Sequence, residues 1–276
     1  MAKKKICLDA GHYGAYNPSP VVKGYFEGKV MWQLHLLLKE QLEKRGFEVI
    51  ITRDKQSQDL ALEERGRMAK GCVGFVSLHS NAADSKKPNW AVAMHFVDDN
   101  CGKIDDQSLQ LAKLLGQTVG DVMGVGHEIY TRTSSKDRDG NGKKDDYYGV
   151  LRGAHSVGVP GVIIEHGFHT NPENTRWLMV TDNLRRLAEA EAEALAAFFG
   201  ARKTVSLDLL VLKKGAKGED VRAMQQLLIG NGYPIVADGS FGGKTENALL
   251  CYQEDMGLKV DGSCGRASWT ALLGLG

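Results

Sequence analysis

A chain of 276 residues exceeds the usual single domain, and a 42% hydrophobic, 25% charged composition is that of a globular protein, so one large domain with a small companion is expected. With 35 basic against 34 acidic side chains the formal charge is +1, which gives no field to suggest nucleic acid or an anionic membrane as partner. No apolar run approaches the ~18 residues of a membrane helix, and Lys3 to Lys5 lead into Asp9 and His12 without the apolar stretch of a signal peptide, so neither an integral membrane segment nor a signal peptide is expected.

The first element is Ile6 to His12, ICLDAGH, a short apolar strand that carries Asp9 and runs into a histidine at a glycine-flanked corner. A polar loop through Pro18 and Pro20 leads to EGKVMWQLHLLLKEQLEKRG, where Val30, Leu34, Leu37, Leu38 and Leu42 recur at helical spacing and Gly46 supplies the stop. FEVIITRD is β-branched over a strand's length, and ALEERGRMAKG has the helix formers for a turn or two. GFVSLHSNAA reads as a buried strand ending at His79, AVAMHFVD as another, and DDQSLQLAKLLGQTVGDVM as an amphipathic helix. From Gly124 to Gly149 the chain turns polar and reads as the longest loop, before VPGVIIEHGF restores an apolar strand carrying Glu165. Helices near Glu173 to Val180 and Asn183 to Phe199 complete a domain over residues 1–200, in which alternating strands and helices predict an α/β sheet.

Residues 201–206 read as a short charged join, and the text changes character over 207–276. There DGSFGGKTENAL from Asp238 and DGSCGRASWTAL from Asp261 echo one another, each a turn feeding a helix. With EDVRAMQQLLIGNG, where Val221, Met224, Leu227 and Leu228 share a face, they predict a small three-helix domain. The five cysteines, Cys7, Cys72, Cys101, Cys251 and Cys264, follow no metal-knuckle spacing and read as reduced thiols.

A catalytic zinc commonly takes three protein ligands and leaves a position for water, and His12, Glu27 and His79 are the favoured set. They lie on separate segments, but strand ends of an open α/β sheet converge on one crevice. Each also has a plain structural reading: strand-end histidines are often simply hydrogen-bonded, and a first-turn glutamate suits a helix start on electrostatic grounds alone. His166 and His169 are a rival pair, weakened because a strand alternates its faces. His35 reads as packing, and His95, His127 and His155 as surface or supporting residues.

Glu165 is costly to bury unless it is paired or placed for work. In the working reading it takes a proton from the attacking water and passes it to the leaving amine; the alternative is a salt-bridged or helix-capping acid. Asp137, Asp139, Asn141 and Asp145 take the first, third, fifth and ninth positions of a calcium loop, with Gly142 at the sixth. The twelfth is Tyr148 in place of the bidentate glutamate, so a solvated turn is favoured over calcium. The chain has no convincing phosphate-binding loop and no serine elbow.

In order along the chain, LDAGH with His12, the acid Glu27 after its loop, TRD with LEERGRMAK, SLHSNA with His79 and EHGFHTN with Glu165 resemble the zinc-dependent N-acetylmuramoyl-L-alanine amidases, which cut peptidoglycan. The resemblance covers the first two hundred residues. It departs in the loop after His12, usually GG-rich and here GHYGAYNPSP, and at His166 and His169, which the family does not require. In the tail, KKGAKGEDVRAMQQLL, DGSFGGKTENAL, YQEDMGL and VDGSCGRASW resemble the peptidoglycan-binding domain of wall hydrolases.

These resemblances imply an open, twisted, mixed sheet flanked by helices, of the phosphorylase/hydrolase-like kind. They imply zinc on His12, Glu27 and His79, catalysis by Glu165, Asn81 as a substrate-orienting or turn-closing residue, and Asp9 as support for the ligands. The implied reaction is hydrolysis of the amide between N-acetylmuramic acid and L-alanine, with peptidoglycan as the partner. Two alternatives stand beside it: a zinc peptidase cutting within the stem peptide, and a noncatalytic wall-binding protein on a degenerate amidase fold. Without a leader the chain resembles a phage endolysin, made in the cytoplasm and released to the wall by holin-type permeabilisation, and a mother-cell autolysin would look the same.

Overall fold

The computed structural model describes residues 3–97, 103–138, 144–200 and 211–274. The chain divides into two compact units, Met1–Val205 and Ser206–Gly276. In the first, strands β1 (Lys5–Ala10), β2 (Glu48–Ile51), β3 (Gly74–Asn81), β4 (Trp90–His95), β5 (Gly126–Tyr130) and β6 (Gly161–Phe168) form one sheet in the order β2-β1-β3-β6-β4-β5. All neighbouring pairs are parallel except β4 and β6, which run antiparallel, so the sheet is mixed.

The period of two along the central strands builds both cores at once. Ile6 and Leu8, Val76 and Leu78, and Val162 and Ile164 enter one hydrophobic cluster, while their chain neighbours Cys7, Phe75 and Ile163 enter the other. Helices α1 (Glu27–Lys44), α3 (Lys103–Met123) and α6 (Thr181–Phe199) cover the first cluster through residues such as Leu34, Leu38, Leu111, Leu187 and Leu195. Each such fully buried leucine contributes about 1.5–3 kcal/mol of burial. The second cluster lies under α4 (Gly149–Ser156), through Val150, Leu151 and Ala154, with α2 (Leu62–Arg67) packed on α4. Alternation carried on past these apolar residues turns Asp9, Ser77, His79 and Glu165 to the α2/α4 side. The register confirms their proximity: Asp9 is opposite Ser77, and His79 is opposite Glu165.

Helices α2 and α4 approach backbone to backbone because each has a glycine at the contact. A Cβ on Gly66 would fall 2.1 Å from the Val150 carbonyl oxygen, and one on Gly153 would fall 2.2 Å from that of Glu63. Past β6, α5 (Pro172–Leu178) starts where the Asn171 side chain accepts from the backbone N–H groups of Glu173 (2.9 Å) and Asn174 (3.1 Å).

The stretch Gly124 to Gly149, expected to be one loop, contains β5 and ends in α4. β5 is an edge strand with Gly126, His127, Glu128 and Tyr130 exposed, so it lacks the apolar alternation that marks a buried strand. Two glycines in GVLRGAHS weaken the helical signal of α4.

The second unit has the three helices expected, α7 (Glu219–Gly230), α8 (Gly243–Asp255) and α9 (Arg266–Leu272), around Val221, Met224, Leu228, Phe241, Leu249, Tyr252 and Trp269. Its sequence echo is a repeated turn pinned by a buried glutamine. Gln225 Nε2 donates to Asp238 Oδ1 (3.0 Å), the Ser240 carbonyl (3.1 Å) and Thr245 Oγ1 (3.0 Å), while its Oε1 accepts from Gly239 N (2.8 Å). Gln253 repeats the pattern on Asp261 Oδ1 (3.3 Å), the Ser263 carbonyl (3.0 Å) and Ser268 Oγ (3.0 Å), accepting from Gly262 N (2.9 Å). Gly239 (φ 74°) and Gly262 (φ 65°) occupy the left-handed region, which is why Asp-Gly-Ser recurs.

Cys7, Cys72, Cys251 and Cys264 are free thiols. Cys101, the join at 201–206, and Asp139, Asn141 and Gly142 of the acidic loop lie outside the described residues. Among the described residues no helix is long and apolar enough to cross a membrane.

Candidate active site

The fold brings His12, Glu27 and His79 together at the ends of β1 and β3 and the start of α1, with one ligand atom of each within 4.8 Å of the others. Gly11 N donates to the Leu78 carbonyl (2.8 Å), holding the chain beside β3 past the end of β1, and His12 then turns through a left-handed backbone (φ 54°) toward the crevice. Glu27 Oε2 lies 3.4 Å from His12 Nε2, and Glu27 Oε1 lies 2.9 Å from His79 Nδ1. Bonds of 2.0–2.2 Å in a tetrahedral zinc site place ligand atoms roughly 3.3–3.5 Å apart, which is the His12–Glu27 spacing, and side-chain adjustment brings all three residues onto one divalent ion. Two imidazoles and a carboxylate are also the donor chemistry that zinc accepts.

The electrostatics suit a cation. Glu27 is 1% exposed; burial alone would raise its carboxyl, but the hydrogen bond and charge of His79, then His12, hold it down at about 2. Glu27 in turn raises His79 against the effect of burial, whereas burial wins at His12 and lowers it. The glutamate is fixed from several sides. Its Oε1 accepts from Ser80 N (3.0 Å) and its Oε2 from Asn17 Nδ2 (2.8 Å), and that amide also stands 3.3 Å from His12 Nε2. Asn17 reaches it from a left-handed backbone (φ 51°), in the loop that departs from the family pattern.

Glu165 stands opposite His79 in a cavity of about 190 Å³, also lined by Leu62, Arg65, Tyr148 and Ile163. It is 8% exposed, and its Oε2 is buried with no hydrogen-bond partner among the described residues. Burial pushes its carboxyl up to about 7, with His79 opposing and Glu27 assisting. Among the described residues no salt bridge or helix-capping hydrogen bond is made by this carboxylate.

Other expected residues fall elsewhere. Asn81 follows a register shift in β3, and its side-chain oxygen accepts from Ala82 N (2.8 Å); it does not line the Glu165 cavity. His166 turns away to pair with Glu191 on α6 (2.6 Å), both fully buried, and its Nδ1 donates to the His79 carbonyl (2.9 Å). His169 stays outside the ligand cluster, with Nδ1 3.8 Å from Glu27 Oε2 and 2.8 Å from the Ser80 carbonyl. Asp9 does not touch the ligands: Arg65 Nε (2.8 Å) and Nη2 (2.5 Å), Thr52 Oγ1 (2.6 Å) and Ser77 Oγ (2.6 Å) all donate to it. It therefore fixes Arg65 in the cavity wall. Of the acidic loop, Asp145 accepts from Arg138 N (2.5 Å).

Asn17 and Arg65 are residues of the candidate site that the sequence reading did not single out, and Tyr148, read there only as a calcium-loop position, lines the Glu165 cavity. The departure of the His12 loop from the family pattern was the one signal pointing at Asn17.

Fold and site together define an α/β protein with a candidate metal centre at its strand ends and a free buried carboxylate beside it. The chain belongs to the N-acetylmuramoyl-L-alanine amidase family, whose sequence profile matches residues 6–197, and a peptidoglycan binding domain matches residues 217–272. It is similar to "Probable cell wall amidase LytH" of Staphylococcus saprophyticus, 27% identical over 72% of this chain and 60% of the relative. The N-acetylmuramoyl-L-alanine amidase CwlL of Bacillus licheniformis is 41% identical over 24% of this chain and 19% of its own length. The chain thus spans less than two thirds of these relatives. In structure it is similar to the catalytic domain of CwlV from Bacillus (Paenibacillus) polymyxa var. colistinus, with a TM-score of 0.58 and 20% identity over 72% of this chain and 99% of that one. AmiC2 of Nostoc punctiforme has a TM-score of 0.57 and 22% identity over 72% and 98%. At these identities the likeness is one of fold.

Proposed function

We propose that this protein hydrolyses the amide between N-acetylmuramic acid and L-alanine in peptidoglycan, with zinc held by His12, Glu27 and His79. The observation that carries the reading is Glu165: an unpartnered, buried carboxylate oxygen beside a ligand cluster, held near neutrality by burial. Bound zinc supplies Lewis acidity, lowering the pKa of water and polarising the scissile carbonyl. Glu27, anchored by Ser80 N and Asn17, orients both imidazoles toward the ion. Glu165 Oε2 accepts the proton of the attacking water and delivers it to the nitrogen of the departing L-alanine. Arg65, clamped by Asp9, and Tyr148 wall the cavity and limit how bulk water enters.

In this reading residues 1–200 are catalytic, 201–206 join the parts, and 207–276 hold the wall. Binding by the second unit raises the local concentration of the catalytic one at the polymer, without a new catalytic contact.

The test is digestion of purified sacculi, with products identified by mass. New L-alanine amino termini at the glycan junction, lost on chelation and restored by zinc, are the expected result. Glu165→Gln retains zinc and loses about 10²–10⁴-fold in rate. Amino termini arising elsewhere in the stem would identify a peptidase instead, and wall binding with no cleavage a noncatalytic protein.

A further inference from the structure

The segment before α4 builds a polar cleft on the rim of the Glu165 cavity. Two backbone runs pair there: Ser134 N donates to the Asp145 carbonyl (2.7 Å), Tyr147 N to that of Arg132 (2.8 Å) and Asp145 N to that of Lys136 (3.1 Å). Asp146, fully buried, anchors this ribbon by accepting from Val97 N (3.0 Å) and Tyr148 N (2.6 Å). The ribbon places Arg132, Ser134, Lys136, Arg138 and Tyr147 around a cavity of about 380 Å³. Tyr147 lines this cleft and the Glu165 cavity alike, so the two adjoin at that residue.

The charge in the cleft is positive and partly uncommitted. Arg138 lies 3.7 Å from Asp145 and 3.0 Å from Ser134 Oγ, both through Nη1, so its charge already has a carboxylate beside it. Arg132 has its guanidinium 3.8 Å from the centre of the Tyr147 ring, and no carboxylate pairs with it among the described residues. A guanidinium stacked in this way is held by its face, leaving its in-plane N–H fork directed at whatever enters. Arg132 is also within electrostatic reach of the Tyr148 hydroxyl, which Glu165 influences with the opposite sign.

A rigid fork of free donors matches a carboxylate, which it binds through two parallel hydrogen bonds. Cavities that share one tyrosine are separated by on the order of two residues of extended peptide. We propose that Arg132, supported by Lys136, is a subsite for a free carboxylate on the stem peptide about two residues beyond the scissile amide, so that the enzyme discriminates a carboxylate from a carboxamide there. This rests on the amidase reading above, which places a peptide with its N-terminal amide at Glu165.

The experiment uses two N-acetylmuramyl tripeptides that differ only in the α-carboxyl of their γ-linked second residue, free in one and amidated in the other. The full-length zinc-loaded enzyme should cleave the free acid with a kcat/KM about 10-fold or more above that of the amide, mostly through KM. Arg132→Gln should bring the ratio close to one, and Arg132→Lys should retain part of it. Binding of the same two peptides to Glu165→Gln, with and without Arg132→Gln, reads the subsite without turnover. An Arg132-dependent preference in binding upholds the subsite even if the wild type cleaves neither peptide, which would overturn the amidase reading alone. Equal binding of the two peptides, or a preference untouched by Arg132→Gln, overturns the subsite.

Discussion

The His79 imidazole lies directly over the α-carbon of Gly11, so close that a Cβ there would fall 2.4 Å from Cε1 of the ring. One corner residue thus makes room for one candidate ligand while its successor, His12, presents another. Gly11→Ala should displace the His79 ring and weaken zinc binding about 10–100-fold, the range seen when the supports of a metal ligand are lost. Competition with a chromophoric chelator measures this, and thermal unfolding of the metal-free protein should change far less. Zinc affinity equal to that of the wild type would show that the ring has another way to sit.

Asn17 reaches both Glu27 Oε2 (2.8 Å) and His12 Nε2 (3.3 Å) through one amide. Asn17→Gly keeps the left-handed backbone accessible and removes only the side chain, so it separates support of the ligands from loop conformation. We expect zinc to bind about 10-fold more weakly, with little change in urea unfolding. An unchanged affinity would reduce Asn17 to a loop former.

The strand ends were legible because burial and alternation mark them: ICLDAGH, GFVSLHSNAA and VPGVIIEHGF announce strands, and the sheet does the rest. Contacts between side chains far apart in sequence left no such mark. Asp9 was expected behind the metal ligands, but its carboxylate is taken up by Thr52, Arg65 and Ser77, which arrive from three other segments. His166 illustrates the same gap, since its partner Glu191 is an acid hidden on an otherwise amphipathic helix. Edge strand β5 escaped notice for the opposite reason, being too exposed to show a pattern.

The repeated glutamines make a prediction confined to the second unit. Gln225→Leu strands Gly239 N, and Gln253→Leu strands Gly262 N. Each buried polar group left unpaired costs about 1–3 kcal/mol, so either change should sharply lower retention on purified sacculi. Zinc affinity, set in the first unit, should not move. Full retention by both variants would mean that the turns hold without their pins.

Asp9 and Arg65 predict how stability depends on pH. Burial would raise the Asp9 carboxyl, but the charge and hydrogen bonds of Arg65, with Ser77 and Thr52, outweigh it and hold the folded value below the ordinary 3.8. A carboxyl depressed on folding contributes stability that is fully present above its unfolded value and is lost as pH falls through its folded one. Asp9→Asn removes the charge and leaves Arg65 buried without its partner, a loss of about 3–5 kcal/mol at neutral pH. Urea unfolding followed from neutral pH into acid should therefore show the gap between wild type and Asp9→Asn narrowing below the unfolded carboxyl value, because only the wild type has that contribution to lose. A gap that stays constant through the acid limb would mean that Asp9 acts by shape and hydrogen bonding, with its charge contributing little. Because Arg65 lines the Glu165 cavity, the same variant should also lower turnover at neutral pH, under conditions where it remains folded.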